Sequence, residues 1–271
     1  MLVDTHTHVN FNAFKEDGDE VVRRSLDSET WMINVGSQSS TSARAVKMAE
    51  KYEKGVYAAI GLHPSHLFES YQDAEELSFK TRAEEFDYNF YKDLAKSKKV
   101  VAIGEIGLDY YHLPKDGAEE LKKKQKEVLV KQIELAQELN LPVIFHCRDA
   151  YDDLLDLIKK MTKIPRGVLH CFADTYETAQ KFLELGFMIS FTGIATYPKA
   201  DSVREAVKKI PLEKMMIETD APYLSPQPIR GTRNEPIYVK HVAEEIAKLR
   251  GLSFDEVAKA TTENAIRFFK L

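Results

Sequence analysis

The sequence has little cysteine, no long apolar run and no excess of basic residues. Its 271 residues include two cysteines, and its formal net charge is −5. The lack of a long apolar run excludes a helix that spans a bilayer. The acidic balance argues against a broad basic surface for gripping nucleic acid, although bound divalent cations can still supply positive charge to a phosphate substrate.

The N-terminus and the composition limit the class of protein further. The chain begins in a polar, histidine-bearing run rather than in a basic and then apolar leader, so we expect no signal peptide. With two cysteines and no export signal, we expect reduced thiols, a cytoplasmic location and no membrane partner. No linker, low-complexity tract or repeat divides the chain. Residues 1–271 are therefore predicted to form one domain, by default a monomer.

Eight short apolar runs alternate with long amphipathic segments. Each run is almost wholly apolar before a polar end, which is typical of a strand buried on both faces of a parallel sheet. The runs are Leu2–His8, Trp31–Gly36, Val56–His63, Val100–Gly107, Pro142–Cys147, Gly167–Phe172, Phe187–Gly193 and Lys214–Asp220. Eight β-then-α units in a chain of this length predict a TIM-type (β/α)8 barrel, with an open doubly wound sheet as the alternative.

Helices are predicted where apolar residues recur at helical spacing. These segments are Ala118–Leu139, Asp149–Met161, Thr175–Leu185, Glu235–Arg250 and Phe254–Phe269, the last with a capping box formed by Ser253 and Glu256. The least regular stretch, Leu67–Lys99, is predicted to hold an inserted loop with a helix.

Side chains that can bind metal stand at the ends of six of the eight predicted strands. They are His6, His8, His63, Glu105, His146, His170 and Asp220. By itself the pair His6-x-His8 is as typical of two surface histidines as of a chelating pair. In a TIM barrel, however, the active site lies at the carboxyl ends of the strands, so the shared position of all these residues predicts one metal centre there.

Without His63, the predicted ligand set has four histidines and two carboxylates: His6, His8, His146, His170, Glu105 and Asp220. This is more ligands than one catalytic zinc ion typically takes from a protein. We therefore predict two ions that share Glu105 as a bridging carboxylate and bind an attacking hydroxide and a phosphoryl oxygen. Asp220 is expected to bind the first ion, or to accept the proton of the metal-bound water. Histidine-rich sets favour zinc, manganese, iron or nickel, whereas carboxylates also accept magnesium.

Six motifs together resemble the TatD family of metal-dependent deoxyribonucleases, in order and across essentially the whole chain. The motifs are Asp4-x-His6-x-His8, Gly61-Leu62-His63-Pro64, Gly104-Glu105-Ile106-Gly107-Leu108-Asp109, His146-x-Arg148-Asp149-Ala150, His170-Cys171-Phe172 and Glu218-Thr219-Asp220-Ala221-Pro222-Tyr223. The resemblance implies a TIM barrel of the amidohydrolase type with two divalent ions, and magnesium for activity.

The same resemblance implies a ligand set and a reaction. One ion would lie among His6, His8, Glu105 and Asp220, and the other among Glu105, His146 and His170. The reaction implied is hydrolysis of DNA phosphodiesters, which in some members is a 3′-to-5′ exonuclease activity on single strands. Some relatives are instead described as deacylases of D-aminoacyl-tRNA.

Four residues are candidates for substrate binding, each with a structural alternative. His63 either binds a substrate phosphate or caps the turn at Pro64. Arg148 either binds a phosphate or pairs with a neighbouring aspartate, among Asp149, Asp152 and Asp153. Arg233 and Asn234, in the predicted loop 223–236, either contact phosphate or brace the loop.

Two carboxylates and the two cysteines lie beside predicted ligands. Asp4 precedes the ligand His6 by two residues, so it is expected to orient His6 or to be buried with another partner. Glu218 stands in the same relation to Asp220 and is expected to have an inward polar role, which need not be catalytic. Cys147 and Cys171 each follow a ligand histidine. Strand alternation predicts that both point into the helix layer as small buried side chains.

Three functions follow from this sequence. The leading hypothesis is a two-metal exodeoxyribonuclease that acts on single-stranded DNA or 3′ ends. The second keeps the barrel and the metals but cleaves an amide, a lactone or the ester of an aminoacyl-tRNA. It is disfavoured because Glu105 stands where many amidohydrolases place a modified lysine. The third, a metal-loaded binding protein without activity, is disfavoured by the mixed carboxylate and imidazole ligands.

Overall fold

Eight parallel strands form a single sheet in the computed structural model, which describes residues 1–68 and 83–271. The strands are β1 (Leu2–Thr7), β2 (Thr30–Val35), β3 (Val56–Ile60), β4 (Val100–Asp109), β5 (Val143–Arg148), β6 (Gly167–Leu169), β7 (Met188–Phe191) and β8 (Met215–Ile217). Each strand pairs with the next in sequence. Main-chain hydrogen bonds from Asp220 to His6 and from His8 to Ala221, both 2.8 Å, join the two ends of the sheet. The predicted TIM barrel is confirmed, and the open doubly wound sheet is excluded.

Helices cover the outside of this barrel. They are α1 (Gly18–Asp27), α2 (Ser39–Ala49), α3 (Tyr88–Leu94), α4 (Ala118–Glu138), α5 (Tyr151–Lys159), α6 (Tyr176–Leu183), α7 (Asp201–Lys209), α8 (Val239–Arg250) and α9 (Phe254–Phe269). The capping box of α9 is confirmed, because Ser253 and Glu256 each bond the other's main-chain nitrogen. Helix α8 begins later than predicted because Pro236 starts a separate 3-10 turn.

The irregular stretch Leu67–Lys99 contains helix α3, as predicted. The part of the predicted inserted loop that spans residues 69–82 lies outside the described residues. Among the helices of residues 1–68 and 83–271, none has the length and apolar character needed to cross a membrane.

A layer of apolar side chains fills the amino-terminal part of the barrel. Every strand contributes at least one buried side chain to it: Val3, Ile33, Ala59, Val101, Ile144, Val168, Met188 and Met216. Ala265 and Phe269 of α9 pack against the same layer, so the last helix closes this end of the barrel. Burial of each large apolar side chain stabilises the folded barrel by about 1.5–3 kcal/mol. Because apolar side chains fill this end, the polar groups lie at the opposite, carboxyl-terminal mouth.

Four strands end before the polar residues that were predicted to terminate them. His8 directly follows β1, and His63, His170 and Asp220 follow β3, β6 and β8 and lie in the loops at the carboxyl-terminal mouth. Asp220 and the neighbouring Cys171 have left-handed backbone conformations, with φ of 57° and 45°. The chain thus turns at these positions, and strict strand alternation no longer describes which way the side chains point.

Candidate metal centre

The first group of donor atoms is formed by the two ends of the sheet. His6 lies in β1, His8 directly follows that strand, and Asp220 follows β8. The Nε2 atoms of the two histidines are 3.2 Å apart, and Oδ1 of Asp220 lies 3.7 Å from the first and 3.3 Å from the second. Donor atoms bound about 2.1 Å from a shared ion are roughly 3.0–3.4 Å apart. The two distances from Nε2 of His8 fall in this range and the third is slightly longer, so the arrangement is close to that of three ligands of one cation.

The carboxylate of Glu105 lies between this group and a second one. Its Oε2 is 3.4 Å from Nε2 of His6. Its Oε1 is 2.8 Å from Nδ1 of His146, 3.5 Å from Nε2 of His170 and 3.6 Å from Nε2 of His63. Burial opposes ionisation of Glu105, but the surrounding histidines hold its pKa well below its usual value. One ionised carboxylate thus presents each of its oxygens to a different set of donors.

Asp109 joins the second group, although sequence reasoning did not include it among the ligands. It ends β4, and strand alternation places it on the same face as Glu105. Its Oδ2 lies 3.0 Å from Nε2 of His146. Burial opposes its ionisation, but hydrogen bonds from His146 hold the pKa of Asp109 below its usual value. The position four residues after Glu105 on one strand face is the signal that could have identified it.

A glycine lets His146 reach both carboxylates. Gly107 stands opposite His146 in the register of β4 and β5. A Cβ at this position would lie 1.8 Å from the carbonyl oxygen of His146, so only glycine permits this approach. Burial lowers the pKa of His146, but Asp109 and Glu105 more than offset this and raise it to about 9. His146 is held as an imidazolium between two carboxylates, and binding of a cation there would displace one of its protons.

Polar contacts on the far side of the rings orient two of the histidines, a hydrogen bond for His8 and an ion-pair contact for His170. Nδ1 of His8 lies 2.9 Å from the carbonyl oxygen of Val35, which can only accept, so the proton is on Nδ1 and Nε2 is free for a metal. Glu218 lies 2.7 Å from Nδ1 of His170, and its oxygens also accept from the main chain of Cys171 and the hydroxyl of Ser190, both at 2.6 Å. Such carboxylate–histidine pairs are typical of metal sites.

Asp4 has a different partner from the histidine that it precedes. Its carboxylate accepts from the main-chain nitrogen and the hydroxyl of Thr219, at 2.9 and 2.5 Å. It also accepts from the main-chain nitrogen of His6 at 3.2 Å, but it does not contact the imidazole ring. Asp4 is therefore buried with a partner other than the His6 ring, which is the second of the two roles predicted for it. Through Thr219 it fixes the segment that leads to Asp220.

His63 both caps a turn and faces the donor groups. Its Nδ1 accepts from the main-chain nitrogen of Ser65 at 3.2 Å, so its proton is on Nε2, which points toward Glu105. Burial lowers the pKa of His63 to about 3, so the ring is neutral. A neutral ring with an Nε2–H is a donor suited to a substrate oxygen.

Arg148 lies at the mouth, whereas Arg233 and Asn234 do not face the donor groups. The guanidinium of Arg148, at the end of β5, stacks on the ring of Tyr111 at 3.7 Å. Arg233 pairs with Asp17 at 2.5 and 2.9 Å. The buried amide of Asn234 donates to the carbonyl oxygens of Thr219 and Tyr223, at 3.0 and 2.7 Å. These contacts favour the bracing alternative for Arg233 and Asn234.

The two cysteines differ in their surroundings. Cys147 packs against the main hydrophobic core, as expected. Cys171 lies with His170 and Asp220 in a group whose potential donor atoms are all within 4.8 Å of one another. The prediction that Cys171 points into the helix layer is therefore wrong. It follows the end of β6 and has a left-handed backbone, so strand alternation does not apply to it.

Comparison with known proteins identifies relatives along the whole chain. The sequence model of the family described as "TatD related DNase" matches residues 3–270. An "Uncharacterized metal-dependent hydrolase YabD" from Bacillus subtilis is 42% identical, over 100% of both chains. A "3'-5' ssDNA/RNA exonuclease TatD" from Pantoea ananatis is 30% identical, also over 100% of both chains.

A solved structure of a TatD homologue has the same fold as this chain. The crystal structure of YjjV, a TatD homologue from Escherichia coli K12, superposes with a TM-score of 0.85 and 31% sequence identity. The match covers 100% of this chain and 98% of that one.

Proposed function

Because this chain belongs to the TatD family of metal-dependent DNases, we propose that it hydrolyses phosphodiester bonds of single-stranded DNA from the 3′ end. It is a metal-dependent hydrolase, like the relatives that it matches over their full length. The specific activity is proposed from the relative named as a 3′-5′ exonuclease on single-stranded DNA and RNA. The observation that carries the proposal is the buried carboxylate of Glu105, whose Oε2 faces His6 and whose Oε1 faces His146 and His170.

We assign these donors to two divalent ions. His6, His8, Asp220 and Oε2 of Glu105 would hold the first. Oε1 of Glu105, His146 and His170 would hold the second, with Asp109 beside His146. When bound, the ions supply Lewis-acid chemistry, lowering the pKa of water and neutralising charge on phosphoryl oxygens. We propose magnesium as the activating ion, with manganese, zinc and nickel as the alternatives to be compared.

Asp220 is the residue that we assign to proton transfer. Its side chain is 15% exposed and that of Glu105 is 7% exposed, so Asp220 is the more open of the two to incoming water. Burial opposes its ionisation, but the hydrogen bond from His8 and the charges of nearby histidines hold the pKa of Asp220 below its usual value. Asp220 is thus an ionised carboxylate at neutral pH and can accept the proton of the attacking water.

We assign His63 and Arg148 to substrate binding, and Arg233 and Asn234 to bracing of the loop in which they lie. The Nε2–H of His63 would donate to a phosphoryl oxygen, and the guanidinium of Arg148 would bind phosphate at the mouth. For Arg233 and Asn234 we propose the bracing role, because Asp17, Thr219 and Tyr223 already occupy their polar atoms.

The test is a cleavage assay with a 5′-labelled single-stranded oligodeoxynucleotide. The wild-type protein with magnesium should produce a ladder that shortens from the 3′ end. Loss of a positioned proton acceptor typically costs 10²–10⁴-fold in rate, so we expect about that loss for Asp220→Asn. Asp152→Asn is the matched control, since Asp152 is an exposed carboxylate paired with Lys181.

Two outcomes would refute the proposal. Wild-type turnover retained in Asp220→Asn would remove Asp220 from the chemistry. An intact oligonucleotide together with rapid deacylation of D-aminoacyl-tRNA would instead assign the site to ester cleavage on aminoacyl-tRNA.

A further inference from the structure

Two arginine–tyrosine stacks stand at the carboxyl-terminal mouth of the barrel. The guanidinium of Arg148 lies 3.7 Å from the ring centroid of Tyr111, and that of Arg230 lies 4.1 Å from the ring centroid of Tyr197. Sequence reasoning included Arg148 among the candidates but not the other three. No sequence motif pairs these residues, since the two members of each stack belong to different βα units of the barrel.

The two stacks lie on different sides of the donor groups. Tyr111 follows β4 and Arg148 ends β5, whereas Tyr197 follows β7 and Arg230 follows β8. Because the strands run in sequential order around the barrel, β6 separates the stacks in one direction and β1 to β3 separate them in the other. A strand of nucleic acid that crosses the mouth over the donor groups would pass both stacks.

Both arginines are held in place without a carboxylate partner. Within the described ranges, neither guanidinium forms an ion pair, and both residues are exposed. By contrast, Arg233 is neutralised by Asp17 and Arg204 by Glu245. The tyrosine of the second stack is itself fixed, because its hydroxyl donates to the carbonyl oxygen of Ser225 at 3.0 Å. Stacking thus orders each guanidinium and leaves its N–H groups available for phosphate.

Tyr111 offers a further surface for a nucleobase. Its side chain is 59% exposed, and the other exposed large apolar residues of the described chain are Met1 and Phe254, which lie away from this mouth. His112 links Tyr111 to the donor groups. The His112 ring lies 4.9 Å from that of Tyr111, and its Nδ1 is 2.8 Å from Oδ2 of Asp109. Tyr111 is therefore one side chain removed from the second group of donors.

We propose that these two stacks grip a single strand of nucleic acid as it crosses the mouth of the barrel. Arg148 and Arg230 each bind a phosphate of the strand, and Tyr111 stacks on one of its bases. This inference rests on the proposed nucleic-acid substrate. It also explains how a chain with a net charge of −5 and an acidic site holds a polyanion, since two local cations replace a broad basic surface.

The test uses the salt dependence of binding by the magnesium-loaded protein. The probe is a short fluorescein-labelled oligothymidylate with phosphorothioate linkages, which resist cleavage, and binding is followed by anisotropy. Each phosphate contact to a single strand contributes about 0.7 to the slope of log K against log salt. Arg148→Gln and Arg230→Gln should each reduce the slope by about 0.7, and the double variant by about 1.4.

Variants of the aromatic residue and of a distant arginine complete the design. Tyr111→Ala should weaken binding about tenfold, whereas Tyr111→Phe should bind like the wild type, because stacking does not need the hydroxyl. Arg23→Gln removes an equal charge from the outer helix α1 and should leave the slope unchanged. Thermal unfolding of each variant checks that the barrel is intact.

The outcomes separate this inference from the function on which it rests. If the wild type binds and cleaves DNA but both arginine variants keep the wild-type slope, the grip is refuted and the nuclease assignment stands. If the wild type neither binds nor cleaves any oligonucleotide, the proposed function is refuted and the grip with it.

Discussion

Replacing Glu218 by glutamine should weaken metal binding while leaving the barrel folded. One oxygen of Glu218 serves His170 and the main chain of Cys171, and the other accepts from the hydroxyls of Ser190 and Thr5. A glutamine can keep its carbonyl oxygen toward the first pair and donate its amide to the hydroxyls, which can also accept. The substitution therefore removes the negative charge and little else.

The size of the effect follows from what is lost. Removing the carboxylate partner of a metal-binding histidine typically lowers metal affinity 10- to 100-fold, or about 1.4–2.7 kcal/mol. The free energy of unfolding of the metal-free protein should fall by only about 1 kcal/mol, since the hydrogen bonds are retained. Glu218→Leu, which leaves the same donors unsatisfied, should cost about 3 kcal/mol or more.

Calorimetric titration of the metal-free protein with manganese measures the affinity, and urea unfolding measures the stability. Glu245→Gln is the matched control. It also removes a largely buried, paired carboxylate, but one that contacts Arg204 on the outer helices. An unchanged manganese affinity in Glu218→Gln would refute the positioning role. An equal loss of affinity in both variants would show that it reflects general destabilisation.

Three further predictions concern stability and the fold. In urea unfolding, the protein with metal present at a hundred times the dissociation constant should be about 2.7 kcal/mol more stable than the protein from which a chelator has removed the ions. Equal stability with and without metal would contradict this. Hydrogen bonds from Arg233 lower the pKa of Asp17, so Asp17→Asn should cost about 1 kcal/mol at neutral pH, after allowance for partial exposure. Because a lowered pKa stabilises only the ionised form, that difference should vanish as the pH falls below about 4, and a difference independent of pH would exclude the ion pair as its source. Phe269→Ala should cost about 3–5 kcal/mol by opening a cavity where α9 closes the barrel, and a cost below 1 kcal/mol would show that this end is not tightly packed.

The apolar runs and their polar ends were enough to predict the fold. A parallel strand buried on both faces is nearly continuous in apolar residues, so its boundaries are visible in the sequence. Eight such runs also determine the order of the strands, because short βα connections place each strand beside the last. Since all carboxyl ends then meet at one mouth, the residues His6, Glu105 and Asp220 could be predicted to lie together although they are far apart in sequence.

The rest of the site depends on contacts that local sequence does not encode. Strand alternation holds only while the chain is extended, so it failed for Cys171, which follows the end of β6. The partner of Arg233 is Asp17, 216 residues away, and neither residue carries a signal for the other. The stacking of Arg230 on Tyr197 likewise depends on how two long loops meet at the mouth.

Anomalous diffraction from crystals grown with manganese would show whether Glu105 is shared by two metal ions, as we propose. Two peaks about 3.5–4 Å apart, one on each side of the Glu105 carboxylate, are the predicted result. A single peak, or two peaks that do not share Glu105 as a ligand, would refute a two-ion site bridged by this carboxylate.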